Sequence, residues 1–318
     1  MPGRKSPLYP KVMNMTGTSE TEHNPLHAKN YCVGFVDLLG QRAALRNQHL
    51  VVPSADDPKH ADFIKAIRSS VGAIIKLQED ARVFLEQSGR SFRPPQFDSD
   101  EKQAAYEAMR RTHRKEQWWS DGILLYASLA EADGPCPMNG VYEVIVTLGC
   151  LCLLGLAQRR PIRGSVDVAW GVEIREGQFY GAALSRAYQL ESEVAGYPRI
   201  VVSADTVEFL NSLAHSTAPL PEDYIGSLNR ELGGLCLQFL TTDADGYVII
   251  DYLGAPFQAL ITGPNHPYLY SKAREFVTKQ REAFTGMGDS KLAFRYALLD
   301  AYFESNPPIE NQGKPTVS

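Results

Sequence analysis

Short apolar stretches with a two-residue period mark the strands of this chain, and the first of them begins at Tyr31. Within 31–40, Val33, Phe35 and Asp37 fall on one face of a strand, and Asp37 is its only charged residue. The pattern therefore predicts a buried strand with a carboxylate at its carboxyl end. The same reasoning predicts further strands on both sides of Asp121 and over 162–174, 199–203, 235–240 and 247–252.

Helices are predicted where apolar residues recur every three or four positions. The segment 61–87 carries such a stripe, and 141–158 is apolar nearly all round, as expected of a buried helix. Further helices are predicted over 180–195, 268–285 and 289–304. Strands and helices alternate along the chain, and this order indicates an α/β fold of the α+β sandwich kind.

Composition narrows the class of protein and its compartment. The 318 residues are 44% hydrophobic, which is enough for a large core. Their formal charge of −5 argues against a protein that coats nucleic acid. The apolar run 144–157 is shorter than the roughly 20 residues of a membrane span. Five cysteines without metal-ligand spacing are typical of reduced thiols. We expect a cytoplasmic protein that binds neither membrane nor nucleic acid.

Two acidic residues are the main candidates for chemistry. Asp37 ends the first strand, and Asp121 precedes Gly122 in a predicted hairpin turn. Two carboxylates on adjacent strands suit a pair of hard divalent cations, whose shells the phosphates of a nucleotide would complete. The plainer interpretation is that Asp37 caps a helix and that Asp121 is an ordinary turn residue.

Arg163 lies inside an apolar strand and therefore needs a partner for its charge. That partner is either a structural carboxylate or a ligand phosphate. Asp167, at even spacing along the same strand, is the obvious structural candidate.

Five short motifs, taken in order, resemble the catalytic domain of the class III nucleotidyl cyclases, and most closely the bacterial uridylate and cytidylate cyclases of the Pycsar antiphage systems. The motifs are Phe35-Val36-Asp37-Leu38-Leu39-Gly40, Ser120-Asp121, Ile162-Arg163-Gly164, Tyr180-Gly181 and Ile200-Val201-Val202-Ser203. The resemblance implies a ferredoxin-type βαββαβ core with extra strands and helices at its carboxyl end. It divides the chain into a disordered tail (1–29), a catalytic domain (30–210), an extension packed on the core (211–305) and a second disordered tail (306–318).

The resemblance also implies the chemistry of the site. Asp37, Asp121 and the carbonyl of Leu38 would hold two divalent cations, Mn²⁺ or Mg²⁺. The family places an Asn and an Arg on the helix after the aromatic-Gly step, where this chain has Ser185 and Gln189. Gln189 brings no positive charge, so Arg186 either replaces the missing arginine or is a surface residue. In the family these helix residues come from the partner subunit, which implies a homodimer with sites at its interface.

The resemblance assigns the nucleotide to Phe35, Arg163 and two neutral amides. Gln117 and Gln178 occupy the family's two base-reading positions, and each amide can donate and accept hydrogen bonds. This pair predicts a pyrimidine triphosphate, UTP ahead of CTP, as the substrate of a cyclase that releases pyrophosphate. The alternatives are a purine cyclase, a catalytically silent cyclase-like domain that binds nucleotide or a partner, and an unrelated α/β domain.

Overall fold

The computed structural model describes residues 28–40, 52–91, 99–100, 104, 114–129, 138–175, 177–215 and 224–309. Most of the two predicted tails, 1–27 and 310–318, therefore lies outside the described residues. The end of the described chain is held in place by the buried amide of Gln258. Its Nε2 donates to the carbonyl of Pro307 at 3.0 Å, and its Oε1 accepts from the amide of Ile309 at 2.8 Å.

One mixed sheet organises the chain, and it confirms the predicted α+β fold. Its described strands are β1 (Lys29–Leu38), β2 (Lys115–Trp119), β3 (Gly122–Ser128), β4 (Ile162–Arg175), β5 (Gln178–Gly181), β6 (Ile200–Val202), β7 (Leu240–Thr242) and β8 (Val248–Ile250). Their order is β2-β3-β1-β4-β6-β8-β7, with β5 paired to the far end of β4. Among the first four strands each neighbouring pair is antiparallel, and their order is the ferredoxin-like order of a βαββαβ unit. The parallel pair β4–β6 then extends the sheet.

Helices connect these strands and cover both faces of the sheet. They are α1 (His60–Ser91), α2 (Met138–Ala157), α3 (Ala182–Gln189), α4 (Ala204–Ala214), α5 (Tyr224–Gln238), α6 (Ala255–Phe257), α7 (His266–Gly286) and α8 (Ser290–Ser305). A π-helical segment, Leu190–Ala195, continues α3 without a break. A second π-helical segment and a 3₁₀ turn, Gln258–Thr262 and Gly263–Asn265, lead from α6 into α7.

The back face of the sheet, which carries Val36 and Leu38, packs on α2. Gly34 permits the close approach of that helix, because a Cβ there would lie 2.5 Å from Leu148 Cδ1 and 2.8 Å from Val144 Cγ1. This face belongs to the large apolar core, which α1, α5 and α7 complete around α2. The front face, which carries Phe35 and Asp37, has a smaller core under α3.

Helix α2 is longer than the apolar run suggests. It spans the 20 residues Met138–Ala157, which is long and apolar enough to cross a membrane by length and composition alone. Most of it is buried between the sheet and the other helices, as in the core helix of a soluble protein. The apolar run 144–157 therefore understates the length of this helix, whereas its burial was predicted correctly.

A buried arginine joins the end of the π-helical segment after α3 to the turn between β7 and β8. Arg199 is 3% exposed, and its guanidinium donates to Asp243 at 2.7 Å and to Asp245 at 2.6 Å. It also donates to the carbonyl oxygens of Ala195 and Val194 at 3.1 and 2.9 Å. The charge is fully compensated, so Arg199 serves the fold.

Four of the five cysteines are described and all four are buried, whereas Cys136 lies outside the described residues. Burial raises the pKa of the Cys150 and Cys152 thiols to about 12. Neither thiol therefore forms a reactive thiolate near neutral pH.

His266, the first residue of α7, is an unusual buried group. It is 1% exposed and packs against Tyr270, and neither ring nitrogen has a hydrogen-bond partner among the described residues. Burial lowers the pKa of its imidazole below the ordinary value of 6.5. Burial therefore favours the neutral form of His266 in the folded protein.

We predict that this histidine makes the fold sensitive to acid. Because the pKa of His266 is lower in the folded protein, the unfolded chain binds a proton more readily below about pH 6.5, and the free energy of unfolding falls as the pH decreases. His266→Phe removes this contribution and should flatten the pH dependence of urea midpoints between neutral pH and pH 5.5. His215→Gln, at an exposed site, is the control and should keep the wild-type slope. An unchanged slope in His266→Phe would contradict the prediction.

Candidate functional site

Two rows of side chains cross the front face near the end of β1. The acid row consists of Trp119, Gly122, Asp37 and Arg163, each directly opposite the next on strands β2, β3, β1 and β4. The amide row consists of Gln117, Leu124, Phe35 and Ser165 in the same strand order. Residues directly opposite one another in a ladder share a face, and the rows are two residues, roughly 7 Å, apart. The structure thus brings four of the predicted site residues together.

Asp37 and Asp121 lie at neighbouring strand ends. Asp121 occupies the two-residue turn between β2 and β3, and Gly122 begins β3 directly opposite Asp37. The amide of Leu38 donates to the carbonyl of Asp121 at 3.1 Å, which fixes the turn against β1. Both acids are half-buried.

The donor set at these strand ends fits a hard divalent cation. Two carboxylates and the carbonyl of Leu38 are all oxygen donors, as Mg²⁺ and Mn²⁺ prefer. The described residues contain no group of three or more His, Cys, Asp or Glu side chains that could hold a metal. A cation here would therefore need phosphate oxygens and water to complete its shell, as is usual where Mg²⁺ binds with a nucleotide.

Arg163 pairs with a buried carboxylate. Its Nε lies 2.5 Å from Oε1 of Glu191, which is 2% exposed in the π-helical segment after α3. Within one chain, the partner of Arg163 is therefore a structural carboxylate, but this carboxylate belongs to Glu191 and not to Asp167. The expectation of Asp167 was wrong, because Asp167 pairs with another arginine.

That arginine is Arg186. Its Nε lies 2.8 Å from Oδ2 of Asp167, which is fully buried, and its Nη2 donates to Asp205. Burial raises the pKa of Asp167, whereas hydrogen bonding from Ser203 and the charge of Arg186 oppose the rise. Asp167 lies four residues beyond Arg163 along β4, roughly 13 Å from the acid row. Within one chain Arg186 therefore pairs with the buried Asp167 and lies away from Asp37 and Asp121.

The other two predicted helix residues lie on the outward side of α3. Ser185 and Gln189 are both exposed, and Gln189 Nε2 donates to Glu193 at 3.0 Å. They face solvent because Ala183 and Ala187 occupy the side of α3 that packs on the sheet. In this arrangement they face away from the acids of their own chain.

The two predicted base-reading amides lie close together. Gln117 Oε1 accepts a hydrogen bond from the backbone amide of Phe179 at 3.2 Å, and Gln178 is the preceding residue. Gln178 is exposed at the start of β5, whereas Gln117 is half-buried on the front face. This hydrogen bond and the ion pair between Lys115 and Glu173 join the edge strand β2 to the hairpin that β5 forms with β4.

Sequence reasoning did not separate the roles of Trp118 and Trp119, and it did not identify Tyr188. Strand alternation puts Trp119 on the face of Gln117 and Trp118 on the opposite face, which could have separated the two tryptophans. Trp119 contacts Phe35, whereas Trp118 packs on the back-face core. Tyr188 contacts Phe35 from α3, one position before Gln189, and no sequence signal singled it out.

Comparison with known proteins gives little further information. No protein-family model matches the chain, and no curated protein matches it. Among solved structures, the adenylyl cyclase CyaB from P. aeruginosa is similar over 59% of this chain and 83% of its own, with 12% sequence identity and a TM-score of 0.35. We therefore base the proposals below on the residues of the site.

We predict that Arg186→Ala destabilises the fold, because it leaves the buried Asp167 carboxylate without its cation. The expected loss is about 3 kcal/mol, at the low end for a broken buried pair because Arg186 itself is 43% exposed. Arg274→Ala is a matched control, since Arg274 is also 43% exposed but pairs with the exposed Glu304. Its loss should stay below about 1 kcal/mol. Equal urea midpoints for both variants would refute the structural role of Arg186.

Proposed function

We propose that this protein is a nucleotidyl cyclase, which converts a nucleoside triphosphate into a 3′,5′-cyclic nucleotide and pyrophosphate. The observation that supports it is the placement of Asp37 and Asp121 at adjacent strand ends, with Leu38 hydrogen-bonded to Asp121. The order of the motifs around these acids, and the βαββαβ core that carries them, agree with the proposal.

This reaction depends mainly on positioning the ribose 3′-hydroxyl against the α-phosphate. The ribose 3′-oxygen forms a bond to the α-phosphorus, the bond from that phosphorus to the bridging oxygen breaks, pyrophosphate leaves, and the hydroxyl proton passes to solvent. Divalent cations held by Asp37, Asp121 and the Leu38 carbonyl would lower the pKa of the hydroxyl and neutralise the leaving group. These oxygens lie at the end of β1 and in the turn between β2 and β3, two backbone segments that the hydrogen bond from the Leu38 amide to the Asp121 carbonyl joins.

The amide row supports a pyrimidine substrate, with UTP ahead of CTP. Gln117 uses its oxygen for the Phe179 amide, so its Nε2 is the group that it would offer to a base. A donor suits the O4 carbonyl of uracil and does not suit the amino group at the same place in cytosine. Because a buried polar group left unpaired is costly, such a contact gives selectivity.

A homodimer would complete this site. On one side of the hairpin formed by β4 and β5, Trp170, Ile174 and Tyr180 are 49%, 51% and 64% exposed. Large exposed apolar side chains in one patch mark a protein-binding surface, and a second copy of this chain is the partner that we propose. That copy could bring its outward Ser185 and Gln189 to the acids. We place the enzyme in the cytoplasm, with a cyclic nucleotide second messenger of antiphage defence as its product.

The second candidate function is a catalytically silent domain that binds nucleotide. It is favoured by the engagement of both nearby arginines, because Arg163 pairs with Glu191 and Arg186 with Asp167. In that case neither of these two described arginines would stabilise the charge that builds up during phosphoryl transfer.

Incubation with each of the four ribonucleoside triphosphates and Mn²⁺ tests the function. We expect pyrophosphate and cyclic UMP, with less cyclic CMP, when all four substrates compete. Binding without pyrophosphate release would support the silent domain. Cyclic AMP or cyclic GMP as the main product would refute the pyrimidine assignment while keeping the cyclase.

We predict that Asp37→Asn and Asp121→Asn each reduce turnover to background, because each removes an anionic cation ligand without changing the size of the side chain. Thermal unfolding should show that both variants remain folded. Asp56→Asn, at an exposed position of the loop before α1, is the control and should retain wild-type turnover. Near-normal activity of Asp37→Asn with Mn²⁺ would be incompatible with the proposed metal site.

We predict that Trp170→Glu yields monomers without turnover, because a charge in the hairpin patch prevents its burial between two copies. Sedimentation velocity and pyrophosphate release on the same samples would show both effects. Phe294→Glu, at a residue of α8 that is 64% exposed, is the matched control and should stay dimeric and active. Turnover by a monomeric wild-type protein would exclude shared sites.

A further inference from the structure

Tyr188 has an unexplained position on the front face. Its ring lies 5.7 Å from the ring of Phe35 in an edge-to-face contact, yet the residue is 46% exposed. The preceding Ala187 is fully buried, and its carbonyl accepts a hydrogen bond from Ser165 at 2.6 Å. This contact fixes α3 on the sheet, and so it holds Tyr188 beside β1 with one side of its ring open to solvent.

Trp119 approaches the same phenylalanine from the other strand edge. Its ring centroid is also 5.7 Å from that of Phe35, which is 3% exposed and lies between the two outer rings. Next to Trp119 in the acid row is Gly122, where a Cβ would lie only 3.3 Å from the ring of Phe35. The surface between Trp119 and Asp37 therefore carries no side chain, and the Phe35 ring forms its floor.

We propose that Tyr188, Phe35 and Trp119 form an aromatic subsite that receives the nucleobase of the substrate, with Tyr188 as the positioning residue that stacks on it. The inference rests on the proposed function. Phe35 is two residues from Asp37 on the same face, roughly 7 Å along the strand. A ribose spans this kind of gap between base and phosphate, so a ring on the aromatic subsite directs its phosphates toward the acid row.

In this subsite Tyr188 would contribute to binding affinity, whereas the amides would contribute to the choice of base. Every base has a π-face, so stacking on an aromatic side chain raises affinity without choosing among bases. Base choice would remain with Gln117 and Gln178, whose hydrogen bonds depend on the base edge. Loss of the Tyr188 ring should therefore raise KM for UTP and CTP by the same factor and leave their ratio unchanged.

Binding of UTP with Mg²⁺, measured by tryptophan fluorescence and by equilibrium dialysis, tests the subsite. We expect Tyr188→Ala to weaken binding about tenfold, which corresponds to about 1.4 kcal/mol. Tyr188→Phe keeps the ring and should bind as the wild type does. Tyr268→Ala, at a residue of α7 that is 67% exposed, is the matched control and should also bind normally.

The outcomes separate this inference from the proposed function. If wild type binds UTP and Tyr188→Ala binds equally well, the subsite is refuted and the cyclase proposal stands. If wild type binds no nucleotide, both are refuted. If Tyr188→Ala fails to fold, Tyr188→Leu keeps an apolar contact on Phe35 without an aromatic ring, and wild-type affinity in that variant would overturn the subsite. A change in the ratio of UTP to CTP affinity would also overturn it, since stacking cannot produce one.

Discussion

The register of β1 between β3 and β4 is the constraint on which the front face depends. A slip of one residue would turn Asp37 and Phe35 to the back face and replace them with Val36 and Leu38. Packing on the back face prevents this slip. Gly34 lies against α2, and a Cβ on Gly164 would come within 2.4 Å of the carbonyl of Phe35. The orientation of the candidate metal acid is thus set by contacts that never touch a ligand.

Two buried carboxylates determine which partners the arginines near the site have. Asp167 and Glu191 are both almost completely buried, and each holds one of the two arginines that could otherwise serve a phosphate. A buried charge without its partner is far more costly than an exposed one, so the fold retains these pairs. Among the described residues, the packing that positions α3 therefore engages both of these arginines within one chain.

Much of the fold follows from local patterns, because strand alternation and helical spacing are local properties. The face of Asp37, the turn at Asp121 and the burial of α2 all follow from residues near to them in sequence. The partners of Arg163 and Arg186 do not, since they depend on how α3 crosses β4. Asp167 is the nearer carboxylate to Arg163 in sequence, yet Arg186 reaches it from α3. Tyr188 was missed for the same reason, as its contact with Phe35 joins segments about 150 residues apart.

The acid row and the amide row offer different chemical groups, and their spacing limits the kind of ligand that can contact both. Asp37 lies in the acid row and Asp121 in the turn beside it, whereas the amide of Gln117 and the ring of Phe35 belong to the amide row. Because a strand advances roughly 7 Å over two residues, a ligand that satisfies both rows needs an anionic end and a flat polar end separated by about that length. A free phosphate fills only one row, and a nucleoside fills only the other. A nucleotide fills both, and this is the physical reason to prefer a nucleotide site here over an isolated cation site.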